Sequence, residues 1–350
     1  MLRNRLYFHV KPYLPQRLRL GVRRWFAQRK RKHVRDVWPI LSGSERRPEG
    51  WTGWPDGKQF AFVLTHDVES QRGIDHVKLL AELESSLDFR SSFNFIPEGP
   101  YAVSSALRSW LTANGFEVGV HDLHHDGKLF CSREEFRCRA KRINDYLNDW
   151  HAAGFRSGFM LNQPDWLHDL HVQYDASTFD TDPFEPQPGG AGTIFPFWVT
   201  SPEVKEGRGK QEAESSSLDR SGSRLSRFTA ASSELGAPCS THLARGYVEL
   251  PYTVPQDSTL FLLLGETTPE VWLRKIDWIA QHGGMVLMNV HPDYMTFQLR
   301  PKGPNEYPVA YYRAVLEYVR NKYEKLFWHA LPRRAAACFK TLGAAAPSSN

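Results

Sequence analysis

The stretch FAFVLTHDVE, residues 60–69, decides what fold and what chemistry to expect. Its first half, Phe60–Leu64, is a short continuous apolar run, which is typical of a buried strand. Its second half turns polar at once, with Thr65, His66 and Asp67. Folds built from parallel strands place reactive groups at the C-terminal ends of those strands. The stretch therefore predicts a strand that carries a carboxylate into a site.

The same alternation continues outward from this strand. Apolar runs of strand type recur, separated by segments with helical spacing, and this order favours an α/β fold with a parallel sheet or barrel. The predicted helices are Val77–Leu87, Ala106–Ala113, Arg133–Trp150 and Pro269–His282. The predicted strands, besides the first, are Ser91–Phe95, Gly115–Val120, Gly154–Phe159, Thr193–Val199, Tyr247–Val254 and Met285–Val290.

Composition divides the chain into four parts. A basic segment covers residues 1–50, the alternating α/β unit covers 58–300, a closing helix falls within 301–330, and a small-residue tail without an expected fold covers 335–350. Nine of the 45 residues in 202–246 are serine and large apolar residues are sparse, which predicts a disordered insertion.

Charge is distributed unevenly. The net charge is +5, yet residues 1–36 alone hold twelve Lys or Arg and one acid, so the rest of the chain is mildly acidic. Large apolar residues alternate with these bases, as in a helix that lies on an anionic membrane. A solvated arm that packs on the domain explains the pattern equally well. Nucleic acid binding is the weaker third interpretation, because no other feature of the chain supports it.

Bulk composition fits a globular protein with a large core, at 41% hydrophobic and 24% charged residues. No stretch approaches the roughly 20 apolar residues of a membrane span, and the basic N-terminus lacks the apolar run of a secretory signal. The four cysteines are scattered without a CxxC pair, which favours reduced thiols. We therefore expect a cytoplasmic protein, with peripheral contact to the inner membrane as an option.

Three polar clusters follow apolar strands: residues 65–69, the His121/His125 pair, and residues 289–293. Two imidazoles four residues apart can converge on one metal ion, and a carboxylate from another strand end would complete the site. Each cluster alone has a plainer explanation, such as a helix cap or a surface coincidence. Together and in this order they favour a metal hydrolase. Zinc is the default ion, with iron, cobalt and manganese left open.

The chain resembles the polysaccharide deacetylases, the NodB-homology group of carbohydrate esterases. The first family motif is similar to residues 64–69, and the second, His-x-x-x-His after a Gly-Glu-Ile-Gly-like strand, is similar to residues 116–125. The Arg-x-Pro motif matches at Arg156 but has Gly158 in place of proline, and the last motif is similar to residues 287–291. The resemblance covers about residues 58–300 and implies an irregular (β/α)-barrel with fewer than eight strands.

The resemblance also implies roles. Asp67 would be the general base and His291 the general acid that protonates the leaving amine. Arg156 would orient Asp67 and keep it ionised. The divalent metal would be held by Glu69, His121 and His125, and a backbone N–H near Tyr252 would stabilise the oxyanion.

Two departures from the family pattern bear on the site. Glu69 stands where the family usually has Asp, and its extra methylene demands a wider metal site. Gly158 is expected to loosen the loop that presents Arg156.

A segment rich in Asp and aromatic residues, 174–187, is the candidate substrate wall, with Asp180, Asp182, Phe184 and Trp198 as the residues that would contact sugar. A rigid proline-containing loop with helix caps explains the segment equally well. The expected activity is removal of an acyl group from an N-acylated sugar or a surface-polysaccharide precursor. The alternatives are an amidohydrolase that acts on a small non-sugar amide, as allantoinases do, and a non-catalytic carbohydrate-binding relative.

Overall fold

The computed structural model describes residues 16–201, 246–298, 303 and 305–344. The predicted insertion therefore lies outside the described residues except for Gly246. The helices are α1 Gln16–His33, α2 Gln71–Ser85, α3 Ser105–Ala113, α4 Arg133–Asp149, α5 Pro164–Leu167, α6 Glu270–His282, α7 Val309–Lys322 and α8 Pro332–Ala344, with a π-helical segment at Ser258–Leu263. The strands are β1 Phe60–Val68, β2 Ser92–Phe95, β3 Glu117–His121, β4 Gly154–Arg156, β5 Tyr174–Asp175, β6 Phe197–Thr200, β7 Gly246–Glu249, β8 Met285–Val290, β9 Met295–Thr296, β10 Tyr307–Pro308 and β11 Phe327–His329.

Parallel pairing runs through seven strands in the order β8, β1, β2, β3, β4, β5, β7. In addition, β11 pairs with the first residues of β1, and β6 pairs antiparallel with β7. An isolated bridge between Val254 and Met288 brings the β7 side of the sheet to β8. The expected irregular α/β barrel is confirmed.

The first strand is the centre of the fold. All nine residues of β1 are buried, because helices and neighbouring strands cover both of its faces. This explains the uninterrupted apolar run in the sequence. The strand extends through Thr65, His66 and Asp67, so the polar residues that were predicted to follow it are part of it. Successive side chains of a strand point to opposite faces of the sheet, and these three therefore alternate in direction.

Serine caps fix where three of the surrounding helices begin. The side chains of Ser70, Ser104 and Ser132 accept hydrogen bonds from the backbone N–H groups of Gly73, Leu107 and Glu135, at the starts of α2, α3 and α4. Each helix returns the chain to the N-terminal side of the sheet, so successive strands deliver their C-terminal ends to the same edge.

The C-terminal part differs from the expectation for residues 335–350. Residues 332–344 form α8, and Ala335 and Ala336 are buried against the sheet. Alanine has the highest helix propensity and lets a helix approach closely, so a small-residue segment is well suited to pack here. Residues 345–350 lie outside the described residues. The predicted closing helix is α7, which ends at Lys322 before the chain enters β11.

Within the basic N-terminal segment, residues 16–33 form α1, which lies against the barrel. Arg24 Nε donates to the Leu262 carbonyl at 2.9 Å, Gln28 Nε2 donates to the Leu264 carbonyl at 2.6 Å, and Ala27 is buried between them. One face of α1 therefore packs on the domain. Among the described helices, none combines the length and the hydropathy needed to cross a membrane.

Candidate metal centre

Two strand ends bring the candidate ligands together. Glu69 follows β1, His121 is the last residue of β3, and His125 lies in the turn that follows. One ligand atom from each of the three lies within 4.8 Å of the others, and this is the one such group of His, Cys, Asp or Glu among the described residues. The three residues expected to hold a metal are therefore adjacent in space.

The three candidate ligand atoms lie close together but are not hydrogen-bonded to one another. His125 Nε2 lies 3.2 Å and His121 Nε2 lies 3.9 Å from Glu69 Oε1. Both imidazole nitrogens are buried and have no hydrogen-bond partner. Buried polar atoms are normally satisfied, so two unsatisfied nitrogens aimed at one carboxylate oxygen fit a site built for a cation.

The other ring nitrogen of His121 sets its orientation. His121 Nδ1 lies 3.1 Å from the Arg156 carbonyl, to which a protonated Nδ1 donates. With the proton on Nδ1, the lone pair of Nε2 is free to bind a metal ion, which is the usual arrangement of a metal-binding histidine. Glu69 is also held from behind, because Tyr294 Oη donates to Glu69 Oε2 at 2.9 Å.

The turn that carries His125 requires Gly158. His125 has a φ of 54°, in the left-handed region, and its ring stacks on Phe159 with centroids 4.4 Å apart. A Cβ on Gly158 would lie 2.7 Å from Asp122 Oδ2 and 2.8 Å from the His125 ring. The Gly158 N–H also donates to Asp122 Oδ2 at 3.3 Å, which proline could not do. Glycine thus ties this loop to the His125 turn, and the expected loosening is not what the structure has.

The Asp67 carboxylate is buried and surrounded by hydrogen-bond donors. Asn289 Nδ2 donates to its Oδ2 at 2.7 Å, Asn94 Nδ2 donates to its Oδ1 at 2.9 Å, and Arg156 Nη1 lies 3.4 Å from Oδ2. Burial opposes ionisation, but the charges of Arg156, His121 and His291 outweigh it and hold the pKa of Asp67 below its usual range. Asp67 is thus an ionised carboxylate that lines the cavity.

Arg156 is fully buried beneath Asp67. Its Nε donates to the Ala176 carbonyl at 2.8 Å, and its Nη1 donates to Thr65 Oγ1 at 3.0 Å. These bonds fix the guanidinium in place beside the carboxylate.

His291 lies directly after β8 and is paired with Asp257. His291 Nδ1 lies 2.7 Å from Asp257 Oδ1, while its Nε2 faces Glu69 Oε1 at 3.7 Å. Burial lowers the pKa of His291, but the Asp257 carboxylate, with Glu69 and Asp67, raises it to about 10. A charged imidazole held by a carboxylate can donate a proton from Nε2 toward the cavity.

The ligands and both proton-transfer candidates share one cavity of about 350 Å³. This volume lies within the range of small-molecule sites. Aromatic side chains from three segments line it, namely Phe159, Phe184 and Tyr294. Its polar lining includes Glu185, Gln256, Ser258 and Thr259, and Arg23 of α1 lies at its edge.

The candidate substrate wall is only partly in this cavity. Phe184 lines it, whereas Asp180 is buried in an ion pair with Lys275 and Trp198 lies in β6, away from the lining. Asp182 is buried behind the cavity, where it accepts hydrogen bonds from the Phe184 N–H and from Tyr252 Oη. Asp180, Asp182 and Trp198 are therefore not among the residues that line the cavity.

Tyr252 also differs from the expectation. Its side chain is fully buried, and its hydroxyl contacts Glu185 Oε1 at 2.8 Å. Its backbone N–H donates to the Thr178 carbonyl at 2.9 Å. That N–H is engaged in the sheet, so it is not available to an oxyanion.

Sequence reasoning missed Asp257 and Glu185. Asp257 follows the apolar segment 247–254, so the rule that polar residues follow strands would have found it. Glu185 carries no such signal. It lines the cavity and accepts a hydrogen bond from Gln256 Nε2 at 2.8 Å. Burial raises the pKa of Glu185 to about 7, in spite of the hydrogen bonds from Tyr252 and Gln256.

Sequence comparison gives no relatives: no protein family model matches the chain, and no curated protein matches it. Solved structures do match. A protein assigned as a polysaccharide deacetylase from Mycobacterium smegmatis aligns with a TM-score of 0.57 at 14% identity, over 87% of this chain and 98% of that one. A second protein so assigned, from Pseudomonas aeruginosa PAO1, gives 0.54 at 14% identity over 87% and 98%.

A PuuE allantoinase aligns as well, with a TM-score of 0.54 at 12% identity over 89% of this chain and 99% of that chain. At such identities the comparisons establish a shared fold. The fold expected from the sequence resemblance is therefore confirmed, over nearly the whole length of these structures.

Proposed function

We propose that the protein is a metal-dependent hydrolase that removes an acyl group, such as acetyl, from an N-acylated sugar or surface-polysaccharide precursor. The observation that carries the proposal is the convergence of Glu69, His121 and His125 in the same cavity as Asp67 and His291. A carboxylate base and a charged imidazole beside a cation site are the groups that amide hydrolysis requires.

The side chains divide the reaction between them. When bound by Glu69, His121 and His125, a divalent ion, with zinc as the default, supplies Lewis-acid polarisation of the acyl carbonyl and makes water more acidic. Asp67, held ionised by Arg156, accepts the proton of the attacking water. His291 then donates its Nε2 proton to the leaving nitrogen, while Asp257 keeps the imidazolium oriented.

Aromatic side chains support a sugar as the substrate. Phe159, Phe184 and Tyr294 offer ring faces at the cavity, and pyranose rings stack on such faces through their C–H groups. Gln256 and Ser258 lie among them and can hydrogen-bond hydroxyl groups. This mixture suits a ring that is apolar on its faces and polar at its rim.

A small non-sugar amide is the second candidate. The allantoinase structure aligns with this chain as well as one of the two deacetylase-assigned structures does, with a TM-score of 0.54 in both cases. The fold therefore does not separate the two substrate classes, and only turnover does.

The site of action is part of the proposal. We place the protein in the cytoplasm, with peripheral contact to the inner membrane through residues 1–36, where precursors of surface polysaccharides are assembled. Fractionation of cells would check this, and recovery of the protein outside the inner membrane would contradict it.

The direct test is acyl release by the purified chain. N-acetylated amino sugars and their oligomers are offered beside allantoin and simple amides, with Asp67→Asn as the matched control. We expect acetate from the sugars, loss of turnover with a chelator, and recovery with zinc, cobalt or manganese. Turnover of allantoin or the amides alone would favour the second candidate. Bound metal without any turnover would favour a non-catalytic carbohydrate-binding protein.

A further inference from the structure

The helix α1 braces two walls of the cavity. Through Arg24 and Gln28 it holds the C-terminal end of the π-helical segment Ser258–Leu263, at Leu262 and Leu264, and Arg31 forms an ion pair with Glu266. On its other flank, Lys30 Nζ donates to the Pro183 carbonyl and lies 5.9 Å from the centre of the Phe184 ring. Both segments supply residues that line the cavity.

Three large apolar residues are exposed on the face of α1 that points away from the domain. Val22, Trp25 and Phe26 are 46%, 54% and 55% exposed. In the described part of the chain seven large apolar residues are 38% exposed or more, and three of them lie on this one helix; a fourth, Phe159, lines the cavity. Scattered single residues would need no explanation, but a cluster marks an interaction surface.

Bases frame this face. The Arg29 guanidinium lies 4.9 Å from the centre of the Trp25 ring, and Arg23, Lys30 and Lys32 are exposed on the same helix. Aromatic residues on one side of a helix with Lys and Arg around them match the interface of an anionic bilayer, where rings enter the headgroup region and the cations meet lipid phosphates. A protein partner of ordinary surface charge offers no such complement to this much positive charge.

The same helix places a cation at the cavity. Of the described residues that line the cavity, Arg23 alone carries a guanidinium or ammonium group, and it is exposed. Asp67, Glu69 and Glu185 give the rest of the lining an acidic character. An arginine at the rim is suited to an anionic group outside the reacting centre, and it pairs well with phosphate.

We propose that α1 docks on an anionic bilayer through Val22, Trp25 and Phe26, and that the substrate is an N-acylated sugar on a lipid phosphate, with the phosphate bound by Arg23. This rests on the proposed function and names its substrate class. Docking turns the cavity rim toward the membrane, so the sugar reaches Asp67 and His291 while its lipid stays in the bilayer.

The docking surface is tested without turnover. The full chain is sedimented with vesicles of phosphatidylcholine, and with vesicles of phosphatidylcholine and phosphatidylglycerol. We expect binding to the anionic vesicles that weakens with salt, and at least about a tenfold loss of partitioning for Trp25→Ser/Phe26→Ser. The matched control is Leu79→Ser/Leu326→Ser, two residues 45% and 47% exposed elsewhere on the domain, which should bind as wild type.

Two outcomes of this experiment would overturn the docking surface. One is equal binding of the two double variants, and the other is no binding of wild type to anionic vesicles. A change of oligomeric state in Trp25→Ser/Phe26→Ser, seen by light scattering with vesicle binding unchanged, would assign the face to a second copy of the chain.

The phosphate contact is tested by a ratio. KM is measured for N-acetylglucosamine 1-phosphate and for N-acetylglucosamine, and the two values are divided. A variant that weakens both sugars equally leaves this ratio unchanged. Arg23→Gln should reduce the preference for the phosphorylated sugar about tenfold, and Arg23→Lys should keep most of it. An unchanged ratio in Arg23→Gln would contradict the contact. Absence of turnover on both sugars, with vesicle binding intact, would contradict the proposed function and leave the docking surface standing.

Discussion

Two histidine–glutamate clusters lie at β1 and its end, one fully buried and one partly exposed, and they differ in how their polar atoms are satisfied. On one side His66 Nε2 meets Glu84 Oε1 at 2.7 Å, while Ser91 Oγ and Tyr312 Oη donate to the same carboxylate at 2.6 and 2.5 Å. At the end of the strand, Glu69 Oε1 faces His121 and His125 with no hydrogen bond to either buried nitrogen.

A buried nitrogen without a hydrogen-bond partner does not by itself distinguish the two clusters. His66 Nδ1 also lacks a partner, yet among the described residues only Glu69, His121 and His125 group as ligands. The Glu84 carboxylate accepts hydrogen bonds from three protein groups. Burial opposes its ionisation, but the interaction with His66 outweighs the effect of burial, so the pKa of Glu84 is lowered. The first cluster is a structural pair between β1 and the helices, whereas the second has the arrangement of ligand atoms that a cation site requires.

The largest effect is expected at the carboxylate beside the cation site. Asp67→Asn preserves the shape of the side chain but removes the base, so kcat should fall by about 10² to 10⁴-fold. Metal content should stay at the wild-type level, because Glu69, His121 and His125 are untouched. Equal loss of metal and activity would show that Asp67 is a ligand instead.

A change in the saturated cluster should affect stability and leave the site intact. Glu84→Ala removes the acceptor of three hydrogen bonds in the core and should lower the free energy of unfolding by about 3–5 kcal/mol. Urea denaturation measures this, and metal content per folded molecule should be unchanged. Loss of metal with stability retained would reverse the assignment of the two clusters.

A third group of buried acids, Glu185 and Asp182, accepts hydrogen bonds but forms no ion pair with any described residue, so stability should depend on the ionisation of Glu185. Its pKa is raised from 4.5 to about 7, chiefly by burial. The folded state therefore binds the proton more tightly, and stability should fall as pH rises between these values. Glu185→Gln should remove part of this slope and be more stable at pH 8, by about 1 kcal/mol. An unchanged slope in thermal unfolding between pH 5 and pH 8 would contradict it.

The sequence anticipated the fold because β1 and its successors are apolar runs followed by polar residues. The segment Met285–Val290 was predicted with the bounds it has, and Asp67, His121 and His291 all lie at strand ends. The helix Pro332–Ala344 was not anticipated. Its run of small residues shows no clear alternation of large apolar and polar positions, and its packing against the sheet cannot be seen in the sequence.

Which residues meet at the cavity could largely be predicted, but its walls could not. The family resemblance grouped Glu69, His121 and His125, but whether Asp180 or Glu185 faces the cavity depends on one loop. Lys275 draws Asp180 into the core, and this partner lies 95 residues away in sequence. The requirement for Gly158 was equally hidden, because it arises from contact with Asp122 and the His125 ring.

The central claim is that convergence, and not mere burial, makes the second cluster a metal site. Metal content by mass spectrometry tests it on wild type, on His121→Ala/His125→Ala, and on His66→Ala as the matched loss of a buried histidine. We predict about one equivalent in wild type and in His66→Ala, and little in the double variant. Equal metal in all three proteins, or none in wild type, would contradict the claim.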